Sequence, residues 1–114
     1  MVDEDPVSTN PEHYRRLFEN DVVRVLEYRD QPGDRTTPHV HPNSVMVTLS
    51  EVRRRLTADA GQRDIDIPAH RAVWLAAQRH AGENIGQTTT HAIFVELKGS
   101  AGGDAGPGAL GPDL

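Results

Sequence analysis

Short segments rich in β-branched and apolar residues, separated by Gly, Pro and Asn turns, run through most of this 114-residue chain. They predict about seven strands and leave no space for crossover helices between them. The segments lie at 22–28, 44–49, 53–57, 64–67, 72–75, 80–85 and 90–97. Only residues 11–19 have any helical character. Closely spaced strands of this kind favour an all-β fold, and their periodicity leaves barrel, sandwich and jelly roll open.

The two ends of the chain differ in composition from its middle. Residues 1–11 are acidic and contain two prolines without a periodic apolar pattern, which predicts a flexible N-terminal arm. Residues 99–114 are Gly, Ala, Pro, Asp and Ser apart from two leucines, too little apolar surface to offset the entropy of ordering. They are predicted to form a disordered tail. The remaining residues, 12–98, are predicted to form a single folded domain.

Composition also excludes several classes of function. The chain has no cysteine, so neither disulfides nor thiolate ligands are available to it. A formal net charge of −5 argues against nucleic acid as a partner, because binding phosphates needs a basic surface. No apolar run approaches the roughly 20 residues that span a bilayer, and no signal-like segment begins the sequence. We therefore predict a cytoplasmic protein without membrane contact.

Three histidines carry the strongest functional signal. Residues i and i+2 of a strand project from the same face, so His39 and His41 can present two imidazoles to one ion. His80, from a strand far along the chain, would add a third nitrogen ligand and leave positions open for water or substrate. Without thiolates, such a site suits divalent Fe, Ni, Cu, Zn or Mn. The alternative is that the histidines bind a ligand by hydrogen bonds, without a metal.

The segments around these histidines resemble the two short motifs of the cupin superfamily. Gly33 is followed by five residues and then by His39-Val-His41, the spacing of the first half of the first motif. His80 and Asn84 match the end of the second motif. The resemblance covers about residues 22–98 and is closest to the small single-domain bacterial cupins. It implies a jelly-roll barrel, also called a double-stranded β-helix, with a metal held by the histidines.

The chain also departs from both motifs. The family's glutamate ligand would fall at Val45 or Met46, or at Ser44 after a one-residue slip, and none of these is a carboxylate. The Pro-x-Gly turn of the second motif is replaced by residues 76–78, Ala-Ala-Gln. The resemblance thus implies three histidine ligands, and whether another group or water replaces the glutamate stays open. Some members of the superfamily use a three-histidine iron site for dioxygen chemistry.

Further pocket residues are predicted from strand alternation and from the resemblance. The predicted residues are Ser44, Met46 and Thr48 in the strand after the histidine pair, Trp74 in its strand, Asn84 at the end of the second motif and His91 in the last strand. Asn84 is also readily interpreted as a turn residue, and His91 as a core-edge histidine or as a partner of a metal ligand.

Arg53 and Arg55 share one face of their strand. Aimed into the barrel, they would hold a carboxylate or phosphate of the substrate. The alternative is an exposed strand whose arginines pair with nearby acidic residues.

Together these patterns predict a small metal-dependent cupin acting on a small polar or acidic molecule by a dioxygenase, isomerase or lyase reaction. The alternative is a metal-free or non-catalytic cupin that binds or senses a small ligand. A homodimer is also predicted, because the core is small and the edge strands of such a barrel need covering.

Overall fold

The computed structural model describes residues 3–99 and 110–114. In this part of the chain, one short helix precedes nine strands, which confirms the all-β prediction. The elements are α1 Pro6–Thr9, β1 Tyr14–Glu19, β2 Val23–Asp30, β3 His39–His41, β4 Ser44–Thr48, β5 Val52–Ala58, β6 Gly61–Ile67, β7 Ala72–Leu75, β8 Gln78–Asn84 and β9 Thr90–Leu97.

The strands form two antiparallel sheets. One has five strands in the order β1-β2-β9-β4-β7, and the other has four in the order β3-β8-β5-β6. Both sheets contribute to a single apolar core, with Leu26 and Phe94 from the first and Leu56 and Ile67 from the second. Some neighbouring strands, such as β2 with β9 and β3 with β8, come from distant parts of the sequence, so residues far apart along the chain meet inside the barrel.

Strand β9 shows how the observed register differs from the pattern read in the sequence. Its buried face carries Thr90, Ala92, Phe94 and Glu96, whereas the more apolar set around Ile93 is only half-buried. The sequence predicts the opposite, with the Ile93 face turned towards the core. Both faces of this strand contain apolar residues, so alternation by itself does not determine which face turns inward.

The N-terminal segment packs on the barrel. Asp5 caps α1 by accepting a hydrogen bond from the amide of Val7 at 2.9 Å. Asn10 is buried, and its Oδ1 accepts a 2.8 Å hydrogen bond from the amide of Thr37. In place of the predicted arm, residues 3–11 are held by specific hydrogen bonds. Residues 14–19, part of the segment with helical character in the sequence, form strand β1.

Part of the predicted disordered tail is also docked. Residues 100–109 lie outside the described residues, but the segment 110–114 contacts the barrel. The amide of Gly111 donates to Oε1 of Gln78 at 2.7 Å, and the amide of Asp113 donates to the carbonyl of Trp74 at 2.8 Å. Arg63 donates to the carbonyl of Leu110 at 2.8 Å. The prediction of a tail without contacts is therefore wrong for these five residues.

Within the described ranges, no helix is long and apolar enough to cross a membrane. The cytoplasmic location stays a prediction.

Candidate metal centre

The three histidines predicted as ligands meet inside the barrel. Strand β3 pairs with β8 so that His39 lies directly opposite His80. His39 and His41 point inward and are buried, whereas Val40 between them faces solvent. His80 is also buried. The i, i+2 spacing and one antiparallel pairing are therefore sufficient to bring three imidazoles together.

The ring orientation of two histidines is set by their neighbours. Nδ1 of His39 lies 2.7 Å from the carbonyl oxygen of Thr37, and Nδ1 of His80 lies 2.8 Å from Oε1 of Gln78. Both partners are carbonyl oxygens, which can only accept a hydrogen bond. Nδ1 of each ring therefore carries the hydrogen, and Nε2 carries the free lone pair. Metal-ligating histidines are typically oriented in this way.

The three side chains fit a metal ion. One ligand atom from each of His39, His41 and His80 lies within 4.8 Å of the others. Small ring movements would bring all three to the roughly 2.1 Å bonds that imidazole forms with zinc-like ions. Burial lowers the pKa of His39 and lowers that of His41 and His80 well below the usual 6.5. All three are therefore neutral near pH 7, the form that binds metal.

Tyr14 is a member of this centre that the sequence analysis missed. Its hydroxyl lies 3.3 Å from Nε2 of His41 and 3.4 Å from Nε2 of His39. The residue is buried, and this burial raises the pKa of the phenol, which stays protonated. Tyr14 begins β1, and the sequence of this strand has helical character. No strand alternation therefore indicates that Tyr14 points inward. It adds a hydroxyl beside the converging histidine nitrogens.

Glu96 lies near Nδ1 of His41, the ring nitrogen that Tyr14 does not contact. Its Oε2 is 3.8 Å from Nδ1 of His41, too far for a direct hydrogen bond but close enough for an electrostatic contact. Its Oε1 accepts a 2.7 Å hydrogen bond from Nε of Arg24. The sequence analysis did not single out Glu96, because its strand was expected to face the other way. No carboxylate joins the three histidines as a ligand in the described part of the chain.

A small cavity of about 30 Å³ adjoins the centre. His39, His80 and Tyr14 line one part of it. Most of the remaining wall is apolar, and Pro112 of the docked C-terminal segment also contributes to it. The barrel interior therefore offers a secluded pocket in which polar contacts are few.

The predicted pocket residues are only partly in place. Met46 lines the cavity. Ser44 and Thr48 share its buried face, but neither is among the residues that line the cavity. Thr48 instead donates to the carbonyl of Pro68 at 2.7 Å and so holds a loop. Trp74 is half-buried and pairs with Val45 away from the cavity.

Asn84 and His91 have structural partners. Asn84 is buried, donates to Oδ1 of Asp30 at 3.0 Å and accepts from the amide of Gly86 at 2.9 Å, as expected of a turn residue. His91 lies on the outer face of β9, where its Nε2 is 2.8 Å from Oε2 of Glu27. Neither residue lines the cavity.

Arg53 and Arg55 lie on the outside of the barrel. Arg53 pairs with Asp66 at 3.0 Å and Arg55 with Asp64 at 2.9 Å, and all four side chains are substantially exposed. The prediction that these arginines aim into the barrel is wrong, and the exposed-strand alternative describes them. Between them, Arg54 is the arginine that lines the cavity.

Comparison with solved structures establishes the fold. A cupin domain from Bordetella pertussis Tohama I superimposes with a TM-score of 0.67 at 21% identity, covering 75% of this chain and 92% of that one. A conserved double-stranded β-helix protein from Klebsiella pneumoniae gives a TM-score of 0.60 at 21% identity, covering 79% and 76% of the two chains.

A third similar structure is the polyketide cyclase RemF from Streptomyces resistomycificus, with a TM-score of 0.57 at 20% identity and coverage of 74% and 63%. No protein-family model and no curated protein matches the chain. The structural comparisons show that this chain has the cupin fold, a double-stranded β-helix, as the sequence motifs predicted. At these identities the likeness concerns the fold alone.

Proposed function

We propose that this protein is a metal-dependent cupin enzyme that holds one divalent transition-metal ion through His39, His41 and His80. The observation that supports the proposal is the convergence of three buried, neutral imidazoles, two of them with Nδ1 hydrogen-bonded so that Nε2 faces the others. A buried cluster of this kind is costly unless its lone pairs are used.

The donor set determines which ions fit. Neutral nitrogens without thiolate suit Fe, Ni, Cu, Zn or Mn in the divalent state. When bound, such an ion polarises a substrate oxygen and lowers the pKa of a bound water. The protein's own groups would orient the ligands through Gln78 and Thr37, place the Tyr14 hydroxyl beside the reacting molecule and exclude bulk water. The substrate is a small polar or acidic molecule, and dioxygenase, isomerase and lyase chemistry all fit this arrangement.

A second candidate is a metal-free protein that binds or senses a small ligand. The contacts of Tyr14 favour it, because this hydroxyl already reaches Nε2 of His39 and of His41. In that function the histidines would accept hydrogen bonds from the ligand, and no ion would be needed.

Elemental analysis of protein purified without a histidine tag distinguishes these functions. Near-stoichiometric metal is expected for the wild type, and His41→Ala should lose most of it while keeping a β-rich circular dichroism spectrum. His91→Ala is the matched control, because His91 lies on the outer face of β9 and should leave the metal content unchanged. Wild-type protein that takes up no divalent ion, or a His39/His41/His80 triple alanine variant with full metal content, would refute the proposal.

We also propose that the protein forms a homodimer through the outer face of the five-stranded sheet. Directly paired residues form an apolar row across this face, from Phe18 through Val25, Val95 and Val45 to Trp74. Phe18 is 53% exposed, and a second copy of the sheet would cover it. Light scattering at tens of micromolar should report a dimer, and Phe18→Ser should weaken it. A wild-type monomer under these conditions would contradict this proposal.

A further inference from the structure

Arg54 is a buried cation in the wall of the cavity. Strand β5 places Val52, Arg54 and Leu56 on its inner face and leaves Arg53 and Arg55 outside. Arg54 is only 6% exposed, and it lines the same cavity as the histidines. A buried guanidinium is costly to desolvate unless its charge is paired and its N–H groups are hydrogen-bonded. Its partners in the protein therefore show which N–H groups remain for a ligand.

One edge of the guanidinium is engaged by the protein. Nη1 of Arg54 donates to Oδ2 of Asp30 at 2.6 Å, and the guanidinium carbon lies 4.9 Å from the centre of the Tyr28 ring. Asp30 also accepts hydrogen bonds from the Tyr28 hydroxyl and from Nδ2 of Asn84. Three donors therefore hold this carboxylate, and it has little capacity left for other groups.

The other edge, Nε with Nη2, has no hydrogen-bond partner among the residues that the structure describes. It lies against Gly82, which also lines the cavity. A Cβ added to Gly82 would come within 2.6 Å of Nη2 and 3.1 Å of Nε. The absence of a side chain at residue 82 therefore leaves the space beside the Nε–Nη2 edge free of a Cβ.

Once a metal occupies the free Nε2 lone pairs of the histidines, the remaining polar groups of the cavity wall are ones that can donate. The Tyr14 hydroxyl has only long contacts to the histidines, and Thr90 Oγ1 is buried without a partner in the described part of the chain. Thr36 Oγ1 is already occupied, since it accepts a 2.9 Å hydrogen bond from the amide of Gly82. A ligand that complements this wall must therefore bring acceptor oxygens and negative charge.

We propose that the cavity binds a small carboxylate whose two oxygens face Nε and Nη2 of Arg54. A planar group with two oxygens matches this edge of a guanidinium in a bidentate pair. The small cavity volume favours a carboxylate over the bulkier phosphate. The proposal deepens the proposed function, because it rests on the metal proposed at the three histidines and places the carboxylate in the cavity beside it.

The test compares acetate with acetamide, two molecules of the same shape that differ in charge. The protein is loaded with Co(II), and isothermal titration calorimetry measures each affinity. Wild-type protein should bind acetate at least tenfold more tightly than acetamide. Arg54→Met should reduce this preference at least tenfold, and Arg54→Lys should restore only part of it, since an ammonium lacks the planar edge. Arg53→Met is the matched control and should behave as wild type, because Arg53 is exposed and pairs with Asp66.

The outcomes separate this inference from the metal proposal. An unchanged preference in Arg54→Met, with cobalt content equal to that of the wild type, would overturn the inference while leaving the metal site intact. Wild-type protein that takes up no cobalt would refute the metal site, and the same pair of titrations would then be followed by calorimetry on the metal-free protein. If Arg54→Met does not fold, the wild type decides: equal affinity for acetate and acetamide overturns the inference.

Discussion

The side-chain oxygen of Gln78 lies 2.8 Å from Nδ1 of His80 and so fixes the orientation of a predicted metal ligand. The same oxygen accepts a 2.7 Å hydrogen bond from the amide of Gly111 in the docked C-terminal segment. One acceptor atom thus links the metal centre to a segment more than thirty residues away in sequence. This connection, the burial of the histidines and the packing of the C-terminal segment lead to four predictions.

Replacing Gln78 with Leu should lower the affinity for a divalent metal by about 10- to 100-fold, the usual effect of losing a hydrogen-bond partner of a ligating histidine. Leu has a similar size but offers no acceptor to Nδ1 of His80. Gln62→Leu makes the same change at an exposed residue outside the centre and is the matched control, with affinity expected near that of the wild type. Zn(II) titration against a competing chelator measures the affinity. Equal affinity in wild type and Gln78→Leu would show that His80 needs no support from Gln78.

Deleting residues 110–114 should lower the free energy of unfolding by about 2–3 kcal/mol, since each lost hydrogen bond contributes roughly 1 kcal/mol. A disordered tail, as predicted from the sequence for residues 99–114, would contribute little to stability. The structure points the other way, because Pro112 is buried and the segment bonds to Gln78, Trp74 and Arg63. Urea unfolding measures the difference. Leu114→Ser is the control, because Leu114 is 67% exposed and should leave stability unchanged.

Gly111→Ala should destabilise the protein more than Gly33→Ala. Both glycines have a left-handed backbone, with φ of +78° at Gly111 and +87° at Gly33, so both substitutions strain the chain. Only at Gly111 would the new Cβ also meet another group, coming within 2.9 Å of Cδ1 of Leu56. The extra cost should be about 1–3 kcal/mol, the usual range for overpacking. Thermal unfolding of the two variants side by side checks this, and equal losses would mean that the contact with Leu56 is absent in solution.

The metal-free protein should lose stability as the pH falls below about 6.5. Burial lowers the pKa of His39, His41 and His80, so in this range the unfolded chain binds protons that the folded protein does not. Lowering the pH therefore reduces the free energy of unfolding, by at most about 1.4 kcal/mol per pH unit for each histidine. This stability is complete above pH 6.5 and declines as the pH drops. Urea unfolding from about pH 7.5 to about pH 5.5 measures the slope.

The triple variant His39→Gln, His41→Gln and His80→Gln should lose most of that slope. His91→Gln should retain it, because His91 lies outside the centre. A triple variant with the slope of the wild type would assign the pH dependence to other groups.

Local pattern was sufficient to predict the all-β fold and the three-histidine cluster. Short β-branched segments between turn residues indicate strands, and this assignment does not depend on which strands they pair with. The i, i+2 spacing of His39 and His41 places both imidazoles on one face in any strand, whatever its neighbours. The resemblance to the cupin motifs then linked His80 to this pair. These features are properties of neighbouring residues or of motif spacing, so the sequence alone was enough to determine them.

Tertiary structure decided which face of each strand turns inward and what packs against the centre. In β9 both faces carry apolar and polar residues, and a one-residue difference in register exchanges the two faces. In β5, Arg54 shares the buried face with Val52 and Leu56, and its charge is paired there by Asp30 from β2. This partner is distant in sequence, which is why the sequence points to Arg53 and Arg55 instead. Tyr14 and the segment 110–114 reach the cavity through contacts between residues distant in sequence. No local pattern encodes such contacts, because they depend on how the two sheets and the chain ends pack together.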